Sequence, residues 1–413
     1  MYSYYTKVPQ IEAISNKKRK ICMAQTMIGY LKKYGDCPLT EMPMNSVDSL
    51  ILCQLAYLKY DGLVCDVRDN GPSITVKEIA EHADFDKLFA DVRFEKANRE
   101  LFQEVIKGKR FSNMRLNCYI NLVEKEWETQ FSAVTFLLED GTMYVAFRGT
   151  DESIVGWKED FNMAYLSPIP AQSYSVKYLN MVTGKLNKSF YMGGHSKGGN
   201  LALYSAMNCI PSVQERILKI YNMDGPGFRP EILEKCGYEK IESRVVKILP
   251  QSSLVGMLFE QGMNYSVVAS RRIGLAQHDP YTWLVEDAEF AYVDEIYEGR
   301  RFMDNTINEW ILSLDEESLK TFIDTLYQVI VASEAEDLIS FTSNWKKSLR
   351  GIMGALKEVD GQTADMIKKI IRSLFEIGKS RMRVEVTRGL PLKYVHYQSK
   401  KQNEQEEDLP KQA

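Results

Sequence analysis

The sequence predicts an α/β fold: a mostly parallel central sheet with helices on both faces, followed by a helical appendage. Three observations carry that prediction. Short, continuously apolar runs recur at Ser189–Gly193, Leu218–Met223 and Val245–Leu249, as expected of strands buried on both faces. Helical segments fall between them, a full-length one at Asn200–Asn208 and one or two turns at Pro230–Gly237. From about Phe302 the strand signals stop while helical spacing continues.

Taken in order, residues 1–45 are rich in Lys and Tyr and poor in periodicity, and read as an N-terminal arm. From Ser46 the pattern Leu50, Leu52, Cys53, Leu55, Ala56, Leu58 reads as an amphipathic helix, with Asn45 or Ser46 as its N-cap. Residues 83–128 hold further helical spacing, as at Phe85, Leu88, Phe89 and Val92. Phe131–Leu138 and Thr142–Phe147 are β-rich runs joined by Glu139-Asp140-Gly141, a hairpin signal. Tyr265–Ser270 adds a last strand, and residues 46–300 together form the sheet domain. Phe322, Leu326, Val329, Ile330 and then Ile367, Ile370, Ile371, Leu374, Phe375 place helices in residues 301–382, a surface for a protein partner or for self-association. Residues 383–413 form a polar tail whose end is expected to be disordered.

Composition narrows the function. With 413 residues, 45 % hydrophobic and 26 % charged, the chain can bury a large core. A formal net charge of −4 gives no electrostatic case for nucleic acid or an anionic membrane, and Lys17-Lys18-Arg19-Lys20 reads as a solvated face. The 7 cysteines are scattered and never form C-x-x-C, as expected of reduced thiols in a cytoplasm. No signal peptide and no membrane-spanning run is evident, so a cytoplasmic location is expected.

Gly194-His195-Ser196-Lys197-Gly198 carries the chemistry. This G-x-S-x-G pattern follows an expected strand, Phe190-Tyr191-Met192, and enters an expected helix. A serine on so tight a strand-to-helix turn projects its Oγ above the sheet, and the first helical N–H groups face the carbonyl it attacks. A neutral serine needs an imidazole to accept its proton. The chain has 4 histidines: His195 lies inside the turn, His82 far upstream and His396 in the polar tail. His278 remains as the general base. For the orienting acid, Asp224 stands at the tip of the strand ending Tyr221-Asn222-Met223, with Asp279, or Ser252 or Ser253, as alternatives, or Asp224 as a turn cap alone. The oxyanion donors expected are the N–H groups of Lys197 and of Thr150, the latter running off the strand Val145-Ala146-Phe147. Trp157, Phe161 and Tyr165 share a helical face, in the core or beneath a lid. Leu254–Met263 is apolar enough to line an acyl pocket or to pack as core. No phosphate loop, dinucleotide fingerprint or metal motif appears, so no cofactor is expected.

At these residues the chain resembles the class 3 (triacylglycerol) lipase branch of the α/β hydrolases. Phe147-Arg148-Gly149-Thr150 is similar to that branch's oxyanion strand, and Gly194 to Gly199 to its G-H-S-L-G-G elbow. From about Asn45 to Trp283 it resembles the bacterial Mbeg-like group, whose landmarks are matched by Asn222 to Phe228, Pro250 to Ser253 and His278-Asp279. Two positions depart from the lipase pattern. Lys197 replaces an apolar residue after the serine, and Gln251-Ser252-Ser253 occupies the lipase acid position. The resemblance implies an α/β-hydrolase fold and a serine esterase acting on a small-molecule ester, lipid or thioester. The alternative is a catalytically weak hydrolase-fold scaffold that binds a partner through its C-terminal helices.

Overall fold

The computed structural model describes residues 24–124, 129–150, 163, 167–253, 255–259, 263–272 and 274–293, with isolated positions between 313 and 368. The basic run 17–20, the Trp157/Phe161/Tyr165 face, His396, the helical spacing of 301–382 and the tail lie outside the described residues, apart from those isolated positions.

Eleven strands are described: β1 (Ile74–Thr75), β2 (Arg115–Glu124), β3 (Thr129–Leu137), β4 (Met143–Phe147), β5 (Phe190–His195), β6 (Ile217–Met223), β7 (Val245–Pro250), β8 (Ser266–Val268), β9 (Val285–Glu286), β10 (Glu289–Phe290) and β11 (Tyr292–Val293). Nine of them form one sheet in the order β1-β2-β3-β4-β5-β6-β7-β8-β11. β4 to β8 pair in parallel, while β1 to β4 and the β8/β11 edge are antiparallel. The expected strands all appear, within a few residues of their sequence bounds.

The longer helices are α1 (Met27–Tyr34), α2 (Ser46–Leu55), α3 (Glu95–Lys107), α4 (Pro170–Lys185) and α5 (Lys197–Asn208). They cover both faces of the sheet. On β4, Tyr144 and Ala146 pack in the cluster that holds α1, α2 and α3, whereas Met143, Val145 and Phe147 pack in the one that holds α4 and α5. The two-residue period of a doubly buried strand thus feeds two cores. Asn45 caps α2 through a capping box with Asp48.

Two elements differ from the sequence reading. Residues 83–128 are not helical throughout, because β2 occupies Arg115–Glu124. Its register shifts between Asn117 and Ile120, with Cys118 at φ 55°, so the alternation that announces a strand is broken midway. The segment before Asn45 also contributes α1, whose Met27, Tyr30 and Leu31 are buried.

Candidate active site

The site stands at the C-terminal ends of the parallel strands. β5 ends at His195 and α5 begins at Lys197, leaving Ser196 alone in the turn at φ 59°, ψ −133°. A non-glycine residue held there stores roughly 1–3 kcal/mol of strain, which the turn's anchors must offset. Ser196 N–H donates to Met223 O at 2.9 Å, and Gly199 N–H donates to Ser196 O at 2.9 Å. Gly194 and Gly198 face each other across the elbow so closely that a Cβ on either would collide with the opposite backbone or with that of Phe147.

The structure brings Ser196, His278 and Asp224 together. Ser196 Oγ lies 3.0 Å from His278 Nε2, and His278 Nδ1 lies 2.6 Å from Asp224 Oδ2. A carboxylate only accepts, so the imidazole carries its proton on Nδ1 and turns the Nε2 lone pair to the serine hydroxyl. Burial first, and the Arg93 cation second, hold the His278 imidazole well below its ordinary value, so it is neutral at neutral pH. Asp224 is fully buried and, like Ser196, sits at positive φ, 53°. Ser253 Oγ donates to its other carboxylate oxygen and accepts Gly256 N–H at 3.0 Å. Beneath it on β7, burial pulls the Lys247 ammonium down to about 7, against the attraction of Asp224.

The other acid positions are engaged elsewhere. Asp279 accepts Tyr281 N–H at 3.0 Å, capping the turn Pro280–Thr282. Ser252 N–H donates to Gln277 Oε1 at 2.7 Å, and Ser253 reaches Asp224 rather than His278. His82 is exposed at the end of the helix Val76–His82, far from Ser196 in the chain. Thr150 is buried beside Gly149, whose missing side chain lets the end of β4 lie against Ser196 Cβ and His195 O. Lys197 is buried, and its ammonium donates to Gln130 O at 3.2 Å. In the segment Leu254–Met263, Met257, Phe259 and Met263 are buried, and Met257 packs with Leu249 and Val267. Leu254 and residues 260–262 lie outside the described residues.

Several residues that hold the site were not singled out for that role from sequence. His195 does turn from Ser196, but it braces the histidine loop: its Nε2 is 2.9 Å from His278 O, and the two rings are 4.7 Å apart. A carbonyl only accepts, so His195 carries its proton on Nε2 and offers Nδ1 to the Tyr57 hydroxyl at 3.4 Å. Gln277 donates to Arg272 O at 2.6 Å, and its own carbonyl accepts Trp283 Nε1–H at 2.7 Å. The partners of His195 lie 83 and 138 residues away in the chain, and its place inside the G-x-S-x-G motif is the one local signal pointing at it.

Among the described residues, no group of His, Cys, Asp and Glu side chains could hold a metal ion, and no helix is long and apolar enough to cross a membrane. The elbow between β5 and α5, with the histidine on a loop beyond the last parallel strands, is the arrangement of the α/β-hydrolase fold. Among solved structures, the chain is similar to M37 lipase at 15 % identity, covering 51 % of this chain and 68 % of that one, with a TM-score of 0.32. That likeness is too distant to bear on activity. No curated protein matches the chain. A family model described as Mbeg1-like matches residues 105–328, more than half of the 413 residues, and the chain belongs to the Mbeg1-like family.

Proposed function

We propose that the chain is a serine hydrolase that cleaves a carboxylic ester, or a thioester, through an acyl-enzyme. The observation that carries this reading is the continuous hydrogen-bonded line from Asp224 through His278 to a serine on a strained elbow. Ser196 Oγ adds to the ester carbonyl carbon while its proton passes to His278 Nε2, and the carbonyl π electrons move to oxygen. When that tetrahedral intermediate collapses, the C–O bond to the alcohol breaks and His278 returns the proton to the leaving oxygen. Water then adds to the acyl-enzyme, its proton passing to His278, and collapse releases the acid and restores the serine hydroxyl. Asp224 stays ionised throughout and steadies the imidazolium. The N–H groups of Lys197, at the start of α5, and of Thr150, after the glycine that touches Ser196, hold the oxyanion.

The scaffold alternative leans on Gln251-Ser252-Ser253 standing at the lipase acid position; Asp224 Oδ2, 2.6 Å from His278 Nδ1, supports the hydrolase reading over it. A p-nitrophenyl ester series of rising chain length, run on wild type, Ser196→Ala and His278→Ala, tests the reading. Each substitution is expected to lower kcat/KM by ~10²-fold or more, and the chain-length optimum sizes the acyl site. Activity within about threefold of wild type in His278→Ala would assign the base elsewhere.

A further inference from the structure

β7 and the turn behind it hold Asp224 by both its main chain and its side chain. Asp224 N–H donates to Ile248 O at 2.9 Å, within β7. Ser253 N–H closes the turn after β7 on Pro250 O at 2.9 Å, and the buried Ser253 hydroxyl donates to Asp224 Oδ1. That hydroxyl also accepts Gly256 N–H at 3.0 Å. An accepted N–H polarises a hydroxyl and strengthens the hydrogen bond it gives. Gly256 comes this close only because it has no side chain: a Cβ there would collide with Asp224 Oδ1 and Leu249 Cδ2.

The residue before Ser253 holds the other partner. Ser252 N–H donates to Gln277 Oε1 at 2.7 Å, and Gln277 immediately precedes His278. Gln277 is itself fixed, its Nε2 donating to Arg272 O at 2.6 Å and its main-chain O accepting Trp283 Nε1–H at 2.7 Å. Two neighbouring residues of one turn thus grip the acid and the loop of the base. The bond from His278 Nδ1 to Asp224 Oδ2, 2.6 Å long, runs between these anchors. The terminal torsion of an aspartate is broad, so nothing intrinsic to Asp224 aims Oδ2 at the imidazole. Pinning Oδ1 to Ser253 sets that aim, on a backbone whose positive φ, 53°, persists only where the surroundings overdetermine it.

Resting on the hydrolase reading above, we propose that Ser253 is a positioning residue of the reaction, fixing the Asp224 carboxylate so that Oδ2 stays aimed at His278 through both proton transfers. Ser253 touches no reacting atom, so its effect passes through Asp224. A double-mutant cycle on kcat and KM for p-nitrophenyl butyrate reads this directly. Ser253→Ala is expected to lower kcat by about tenfold, as for the loss of a hydrogen bond to a charged group, with KM within about twofold. In an Asp224→Ala background the same change is expected to move kcat by less than about twofold, because the group it acts through is gone. Ser253→Thr, which keeps the hydroxyl, is expected to recover most of the loss. Thermal unfolding of each variant counts the folded fraction, so that kcat is compared per folded molecule. A Ser253→Ala kcat within about twofold of wild type, or an equal fall with and without Asp224, would overturn the proposal. Ser196-dependent fluorophosphonate labelling of wild type, run alongside, separates this failure from that of the hydrolase reading. Labelling with no Asp224-dependent loss in Ser253→Ala defeats the Ser253 proposal alone, whereas no labelling defeats both.

Discussion

Asp48 in the helical layer and Asp224 at the tip of β6 are both fully buried carboxylates with a strong partner, yet their surroundings differ in kind. Asp48 is saturated. Its Oδ1 accepts from the Tyr30 hydroxyl at 2.9 Å and from Arg110 Nε at 2.8 Å, and its Oδ2 accepts from Asn45 N–H at 3.0 Å and from Arg110 Nη2. Arg110 Nη1 spends its donors on Cys37 O and Met42 O, both at 3.0 Å, tying residues 37–42 to the start of α2. All of these partners are fixed donors or acceptors, and none leads to a reactive atom. Asp224 instead hands its charge to an imidazole that faces a serine hydroxyl, on a backbone held at positive φ. Burial and pairing alone therefore do not mark a site. What marks one is a partner able to exchange a proton, placed on strained backbone.

The comparison breaks most sharply by substitution. Asp224→Asn is expected to lower turnover by ~10²–10⁴-fold, since the amide favours the wrong imidazole tautomer, while leaving the unfolding midpoint nearly unmoved. Arg110→Met should do the reverse. Leaving Asp48 buried and unpaired costs about 3–5 kcal/mol of stability in denaturant titrations, with turnover per folded molecule unchanged. Asp279→Ala, which removes the cap of Pro280–Thr282, is expected to cost about 1 kcal/mol and to leave kcat/KM within about threefold. A loss of 10²-fold there would move the orienting acid from Asp224 to Asp279.

Only one side of this contrast was legible in the sequence, and not evenly: the Asp48–Arg110 pair, 62 residues apart in the chain, gave no signal. The elbow could be read because its requirements are local: a strand, a glycine-bracketed serine and a helix in one stretch. His278 emerged because the chain has 4 histidines and the others stand in the wrong places. The acid stayed open among Asp224, Asp279 and the serines, because which tip faces the imidazole is set by the pairing of β6 with β7 and by the fold of the histidine loop. The β2 strand was hidden by its own bulge, and α1 by the Lys- and Tyr-rich composition around it.

Protonation sharpens the comparison more gently. His278 is held below its ordinary value, so its base form persists to lower pH than that of a free histidine. On a neutral ester, kcat/KM should be flat near neutrality and fall only as pH drops through an apparent pKa below ~6.5, the free-histidine value. Lys247, pulled down to about 7, makes a smaller and separate contribution. Between that value and the ordinary lysine range the unfolded chain binds a proton that the folded one does not, so stability rises with pH across the window. Below it both states are protonated and the dependence ends. Thermal unfolding from neutral to alkaline pH should show this rise in wild type, and less of it in Lys247→Met.

The most direct test of the central claim, that Ser196 is activated by a His278 held by Asp224, is the rate of fluorophosphonate labelling in wild type, Ser196→Ala, His278→Ala and Asp224→Asn. The account predicts stoichiometric labelling of wild type, none of Ser196→Ala, and rates reduced by ~10²-fold or more in the other two. Labelling of wild type no faster than of His278→Ala would contradict it.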